Sequence, residues 1–376
     1  MIVHKHRRGG SLFRGNGIPI GCWAFSFLLA VPTGLKAADF LNVGYGARAV
    51  ALGEAYTALA EGPESLHWNP AGLAREETPR LFFQAVPPSG GAQVGDLGLS
   101  VPTGKTGGLG ASLRWAGAGD VDQTDESGND LGTFNPQALA ISLGYGRAIG
   151  ERGQTPFAWG VNGRYVRSTL LDTADTVTGS AGILSSPFAS NRGQWGVSYS
   201  GGGQLTYDQR SESLPSTWRV GGTFLLAERW RISSDGVFSS NDSAQWAIGT
   251  EYDIPLSGGA SFVERIGYNT RWRDPSNSLA GLSFGLGTRW DRFVLDYAYR
   301  IQGGWDTHVV SLSVSWGPGN RSSQTRALVR EGQRLQDKNK LYEAILKFNE
   351  ALQMDPNNEE AKNGIRSAAE ALRAVP

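Results

Sequence analysis

The stretch Val309-Val310-Ser311-Leu312-Ser313-Val314-Ser315-Trp316 decides how the chain folds. Val310, Leu312, Val314 and Trp316 fall on one face and Ser311, Ser313 and Ser315 on the other, an unbroken period of two that only a β-strand fits. Upstream, the same division sets Phe293, Leu295, Tyr297 and Tyr299 against Asp296, Ala298 and Arg300, and Ala280, Leu282, Phe284 and Leu286 against Gly281, Ser283, Gly285 and Gly287. It recurs where Leu109, Ala111, Leu113 and Trp115 oppose Gly110, Ser112 and Arg114, where Leu139, Ile141, Leu143 and Tyr145 oppose Ala140, Ser142 and Gly144, and where Trp218, Val220 and Phe224 oppose Arg219, Gly221 and Thr223.

The second face identifies the solvent. A soluble sandwich covers its outer face with Lys, Glu and Thr. Here that face is mostly Gly and Ser with scattered Arg and Asp, and Lys105 is the only lysine between Ala38 and Trp316. Strands of roughly ten residues, apolar outward, small or polar inward, with Trp and Tyr at their ends, are the pattern of an all-β transmembrane barrel. Segments of this kind start near residues 80, 93, 107, 137, 156, 175, 193, 216, 229, 244, 261, 278, 291 and 306, which gives 14 antiparallel strands. An even count brings both ends of the barrel to one side. The segments near 175 and 261 alternate poorly, since Glu264 falls among outward positions. Short connections such as 227–229 and 290–292 read as periplasmic turns, and the longer ones over 117–136 and 201–215 as external loops.

Composition agrees. Glycine makes up 52 of 376 residues, about 14% and roughly twice the usual share, and there are 12 tryptophans, which disfavours an all-helical fold. Lys and Arg number 35 against 35 Asp and Glu, so nothing calls for a nucleic acid partner. The ends of the chain differ from its middle. Residues 1–37 carry Lys5, Arg7, Arg8 and Arg14 without an acid, then an apolar run from Ile18 to Val31 and a small residue at Ala37, the pattern of a signal peptide. The only cysteine, Cys22, lies in this segment, so the mature chain has no disulfide and no thiolate metal site. Removing five basic residues leaves 30 basic against 35 acidic, a mildly acidic mature chain. The resulting organisation is a signal peptide over 1–37, a plug segment over 38–79, the barrel over 80–316, a linker over 317–324 and a helical extension over 325–376.

No constellation suits enzyme chemistry. In the run from Gly98 to Gly104-Lys105-Thr106 five residues separate the glycines where a phosphate-binding loop has four, and no helix follows. Gly281-Leu282-Ser283-Phe284-Gly285 lies inside an alternating strand, where a nucleophile elbow cannot form. His67 and His308, without cysteine, assemble no metal site or nucleophile pair. Asp120, Asp122, Asp125, Glu126 and Asp130 make an acidic loop that reads as a solvated one, or as one that attracts divalent cations or lipopolysaccharide-bound ions. The expectation is a non-enzymatic protein without a cofactor.

One segment has more specific content. Phe40 to Leu73 holds Gly44-Tyr45-Gly46-Ala47-Arg48-Ala49, an apolar stretch from Val50 to Ala60 that reads as a helix, and the turn His67-Trp68-Asn69-Pro70-Ala71-Gly72-Leu73. This string resembles the N-terminus of the PorV/PorQ branch of the FadL-like outer-membrane barrels. The resemblance extends through Leu214-Pro215 and Trp218-Arg219-Val220-Gly221 and covers about residues 38–316. It implies a 14-stranded barrel in the outer membrane of a diderm bacterium, with the N-terminal segment folded into the lumen and the Asn-Pro-Ala turn packed inside. Arg48, Trp68, Asn69 and Pro70 are then candidates for a plug or gate lining the passage, or residues that fix the plug's backbone. Arg114, Arg164, Arg219, Arg231 and Asp235 are luminal charges, either defining a conduction path or bracing the lumen in pairs, since buried charges need partners.

The tail reads differently again. Gly332, Ala344, Phe348, Ala351 and Pro356 match the small and large positions of one 34-residue tetratricopeptide unit, with Glu359 to Leu372 as a capping helix. The extension departs from the family pattern and argues for a protein partner in the periplasm, because an even-stranded barrel that starts inside also ends inside. Three functions remain. PorV-like members act in type IX secretion, so the first expectation is protein export and surface attachment. FadL-like members pass hydrophobic molecules, so the alternative is uptake of compounds such as long-chain fatty acids, which predicts an apolar pocket near the plug and a lateral opening between strands. A scaffold that holds periplasmic proteins by its helical tail is the third.

Overall fold

The computed structural model describes residues 39–88, 93–104, 106–124, 130–149, 157–170, 172–189, 192–208, 211–256, 260–303, 306–317, 319–354 and 358–373. The expected signal peptide and Pro356 lie outside them. The strands, in chain order, are β1 (Arg80–Val86), β2 (Gln93–Thr103), β3 (Gly107–Gly117), β4 (Val121–Thr124), β5 (Asp130–Phe134), β6 (Gln137–Ala148), β7 (Phe157–Thr169), β8 (Thr173–Ser185) and β9 (Gly193–Ser200). They continue as β10 (Gly203–Thr206), β11 (Ser211–Leu214), β12 (Thr217–Ala227), β13 (Trp230–Ser239), β14 (Gln245–Pro255), β15 (Ser261–Asn269), β16 (Leu282–Trp290), β17 (Phe293–Arg300) and β18 (Thr307–Ser315). Two pairs, β4 with β5 and β10 with β11, are hairpins in long connections, and the other 14 strands form one closed antiparallel barrel in which β18 returns to β1. Each barrel strand begins within four residues of its expected start.

Alternation sorts the wall as the sequence requires. Leu143, Trp246 and Leu286 are exposed on the outside, while Asp96, Ser142, Asp235 and Arg265 are buried inside. The irregular β15 keeps its alternation, because Glu264 does point outward and Arg265 inward. The long connections 118–136 and 201–216 leave from one end, here the upper, and the turns 228–229 and 291–292 from the other, the lower, where β1 starts and β18 stops.

Residues 39–79 fill the lumen. The expected helix over Val50–Ala60 is cut short: α1 spans only Ala47–Ala51, because Gly53 and Glu54 take left-handed φ values of 64° and 70°. The segment continues through α2 (Ser65–Trp68) and 3-10 turns at Gly62–Glu64 and Pro70–Arg75, each of these turns carrying a proline in its first positions. Wall and plug touch backbone to backbone. A Cβ on Gly267 would lie 2.1 Å from the Gly53 nitrogen, and one on Gly160 2.3 Å from the Pro70 carbonyl carbon, so only glycine fits at either position.

The tail folds as α3 (Gly319–Asp337), α4 (Leu341–Met354) and α5 (Glu359–Arg373). Helix begins at Gly319, six residues ahead of Thr325, so most of the expected linker is helical. Asn339, with φ 59°, ends α3 in the left-handed conformation common at helix C-termini. Phe348 packs with Val329, Ala344, Ala351 and Ala361, and Gly332 and Gly364 lie against its ring.

Candidate luminal site and lateral gap

The plug divides the lumen into two chambers, and their electrostatics differ. In the lower chamber the carboxylate of Glu251 accepts from three guanidinium groups: Arg48 at 2.7 and 3.1 Å, Arg231 at 2.8 Å and Arg265 at 3.0 Å. Arg48 also donates to Glu61 and Arg265 to Asp296, both at 2.7 Å. The plug is thus tied to β13, β14, β15 and β17 by charge. Taking these groups out of water is costly unless each finds partners of good geometry, and here every arginine of the network has a carboxylate.

The other candidate plug residues are equally occupied. The Trp68 indole donates to the Tyr45 carbonyl at 2.8 Å. Asn69 caps the turn at Pro70 by accepting from Ala71, and its amide donates to the carbonyls of Thr57 and Ile183 at 3.2 and 3.1 Å, joining plug to wall. Pro70 sits on Gly160. Trp68, Asn69 and Pro70 thus engage backbone of plug or wall, and Arg48 engages carboxylates.

Of the five luminal charges, four are engaged. Arg114 pairs with Asp96 at 2.8 Å and donates to the carbonyls of Phe40, Val43 and Gly44. Arg164 donates to Ser142 and the Leu66 carbonyl, both at 3.1 Å, and Arg231 to Glu251. Asp235 accepts from the backbone of Tyr56 and Thr57 at 3.1 and 2.9 Å. Arg219 departs from the expected pairing: its guanidinium lies 4.8 Å from the Trp68 ring centre, with no hydrogen bond or ion pair among the described residues. The sequence reading missed Glu54, Glu251, Arg265 and Arg271, although the inward phase of β14 and β15 marks Glu251 and Arg265.

The upper chamber is a cavity of about 100 Å³ above the plug, bordered by Glu54, His67, Trp68, Arg164, Arg219 and Arg271. Its lining is more polar than apolar, so the expected apolar pocket is not found there. Its wall includes Thr178, Ser200 and Gly201, where the barrel changes. β7 and β8 pair over thirteen residues, whereas β8 and β9 pair over five, from Ser180–Ser200 to Leu184–Gly196. Past Ser200 the chain turns inward, and the β10–β11 hairpin buries Leu205 and Leu214 against Ala174. Between Thr173 and Thr178, β8 therefore has no ladder partner on the β9 side among the described residues, a gap in the ladder that the inward-turning chain covers: Thr178 donates to the Gly201 carbonyl at 2.6 Å, and a Cβ on Gly203 would lie 3.1 Å from the Thr176 hydroxyl. The uptake reading would place its lateral opening at this gap in the ladder. The outward pair Arg167–Asp175, at 2.7 Å, stands beside its upper part.

The tail residues Gly332, Ala344, Phe348 and Ala351 build the core of their own three helices. A partner would meet other side chains, such as Tyr342 and Leu346, exposed at 75% and 62%.

No family profile matches the sequence, and no curated protein matches it. Among solved structures, the chain is similar to the toluene transporter TbuX of Ralstonia pickettii, with 13% identity over 73% of this chain and 99% of that one, at a TM-score of 0.48. For the toluene transporter TodX of Pseudomonas putida the values are 11%, 72%, 97% and 0.49, and for a FadL homologue of Pseudomonas aeruginosa 12%, 71%, 97% and 0.45. The closed 14-stranded topology stands on this chain's own strand pairing.

Proposed function

We propose that the protein is an outer-membrane transport barrel that admits a small, largely hydrophobic molecule sideways, through the gap between β8 and β9. The observation that carries this reading is the short β8–β9 ladder, whose last pair adjoins a cavity above a filled lumen. This is the shortest ladder of the barrel, and beyond it β8 is held to the inward-turning chain by the Thr178–Gly201 hydrogen bond rather than by strand pairing. The plug closes the axial route: Val50, Ala51, Trp68 and Leu73 at its centre are buried. A cavity of this size takes a head group, and the body of the molecule would lie in the gap. The neighbouring solved structures named for toluene transport and for FadL fit the same reading.

A disulfide that locks this contact shut tests it, since passage would require β8 and the inward-turning chain to part. Thr178 donates to the Gly201 carbonyl at 2.6 Å, a Cβ on Gly201 would lie 3.6 Å from its hydroxyl, and the only cysteine lies in the expected signal peptide. T178C/G201C should abolish uptake of a labelled hydrophobic compound when oxidised and restore it on reduction. Equal uptake in both states would defeat the lateral route.

Export and surface attachment of proteins is the second reading, supported by the PorV-like string in the plug and by the helical tail, which leaves from the barrel's lower end. It expects co-purification with surface proteins that share a C-terminal sorting domain. In either case the tail would lie in the periplasm and hold a protein partner there, and deletion of residues 320–376 should release that partner while leaving the barrel folded.

A further inference from the structure

From the luminal charges we infer an oxyanion site in the upper chamber, formed by Arg219 and Arg271 and suited to a phosphate group. The argument starts from an exception. Elsewhere in the lumen the arginines are satisfied by protein: Arg48, Arg231 and Arg265 by Glu251, Arg114 by Asp96, Arg289 by Asp253 at 2.6 Å, and Arg300 by Glu54 at 2.6 Å. Arg219 and Arg271 both border the upper chamber while making no hydrogen bond or ion pair through their guanidinium groups among the described residues.

Both are held in place without being neutralised. Arg219 stacks over Trp68 and Arg271 lies 5.0 Å from the centre of the Trp272 ring. Stacking on an aromatic face fixes a guanidinium and leaves its in-plane N–H donors free. The nearby acids are used elsewhere or lie at the rim: Glu54 serves Arg300 and Asn269, Asp235 serves the plug backbone, and Asp242 is in the exposed loop above. The Ser239 hydroxyl, buried and without a partner, borders the same cavity.

Geometry favours a tetrahedral anion. A carboxylate such as Glu251 must share two oxygens among all its donors, whereas a phosphate presents enough oxygens for two forks and a hydroxyl. The chamber has room for such a group. The phosphate could be free or the head group of a lipid reaching in through the gap. The site does not depend on the gap conducting: the T178C/G201C staple reads transport, whereas binding reads the site.

The test is equilibrium dialysis of full-length protein in a sugar-headed detergent against labelled orthophosphate at low salt, with parallel arms offering phosphatidate or oleate in mixed micelles. The expected result is phosphate binding that R219Q/R271Q weakens at least about tenfold, that R219K/R271K partly restores, and that R273Q on the same loop leaves unchanged. Binding of phosphatidate but not orthophosphate, with the same loss in the double variant, would support the site and assign the anion to a lipid head group. The inference is overturned if wild type binds neither, if it binds oleate alone, or if the double variant binds as wild type does. Heat-modifiable gel mobility confirms that each variant is folded, and R271Q alone serves if the double variant is not.

Discussion

Trp218-Arg219 and Trp230-Arg231 are the same dipeptide on neighbouring strands, with the tryptophan outside and the arginine inside both times. On β13 the arginine enters the lower chamber and meets Glu251; on β12 it enters the upper chamber and meets an aromatic ring. The lower chamber spends its charges on holding plug to wall. The upper chamber keeps two cations unneutralised beside a gap. Identical local sequence has yielded a brace in one place and a free donor in the other.

The contrast can be broken at several levels. The largest effect should come from G160L, which removes the seat of Pro70 common to both chambers: a side chain cannot occupy 2.3 Å of space against backbone, and the variant should fail to give a heat-modifiable band on gels. Next is E251A, which leaves Arg48, Arg231 and Arg265 around a missing acid. Arg48 and Arg265 keep Glu61 and Asp296, so the loss should fall below the about 3–5 kcal/mol of a fully stranded buried charge, read as a lower urea midpoint in detergent. If E251A unfolded like wild type, the lower network would not be what holds the plug. R219M should have the smallest effect, a loss of about 1 kcal/mol or less in the same assay, because only an aromatic contact is given up. A loss as large as that of E251A would make Arg219 a brace and remove the distinction between the chambers.

The wall was legible in the sequence for a definite reason. Lipid on one side and plug on the other constrain every residue of a strand, so alternation from Val310 to Trp316, or from Leu109 to Trp115, leaves no other assignment. Even Glu264, which disturbed the pattern, faces outward as its phase demands. The plug was legible as a unit but not in detail: Val50–Ala60 looks like a continuous helix by apolarity, yet the close approach of Gly53 to Gly267 enforces a left-handed break. Least visible were the gap and the unpaired arginines. Register between β8 and β9 is set by where the chain turns inward after Ser200, and the partners of Arg231 and Arg219 come from 20 residues away or from the plug. Neither leaves a local mark.

The contacts of the wall glycines with residues 39–79 have one more consequence. Gly98, Gly144, Gly160, Gly196, Gly249 and Gly267 stand on six different strands, and a Cβ on each would lie within 3 Å of a plug atom. Together they are a mould of which the plug is the cast. The outline of the N-terminal segment is therefore written a second time, in negative, along the strands that follow it. A plug of different outline would require a different set of wall glycines.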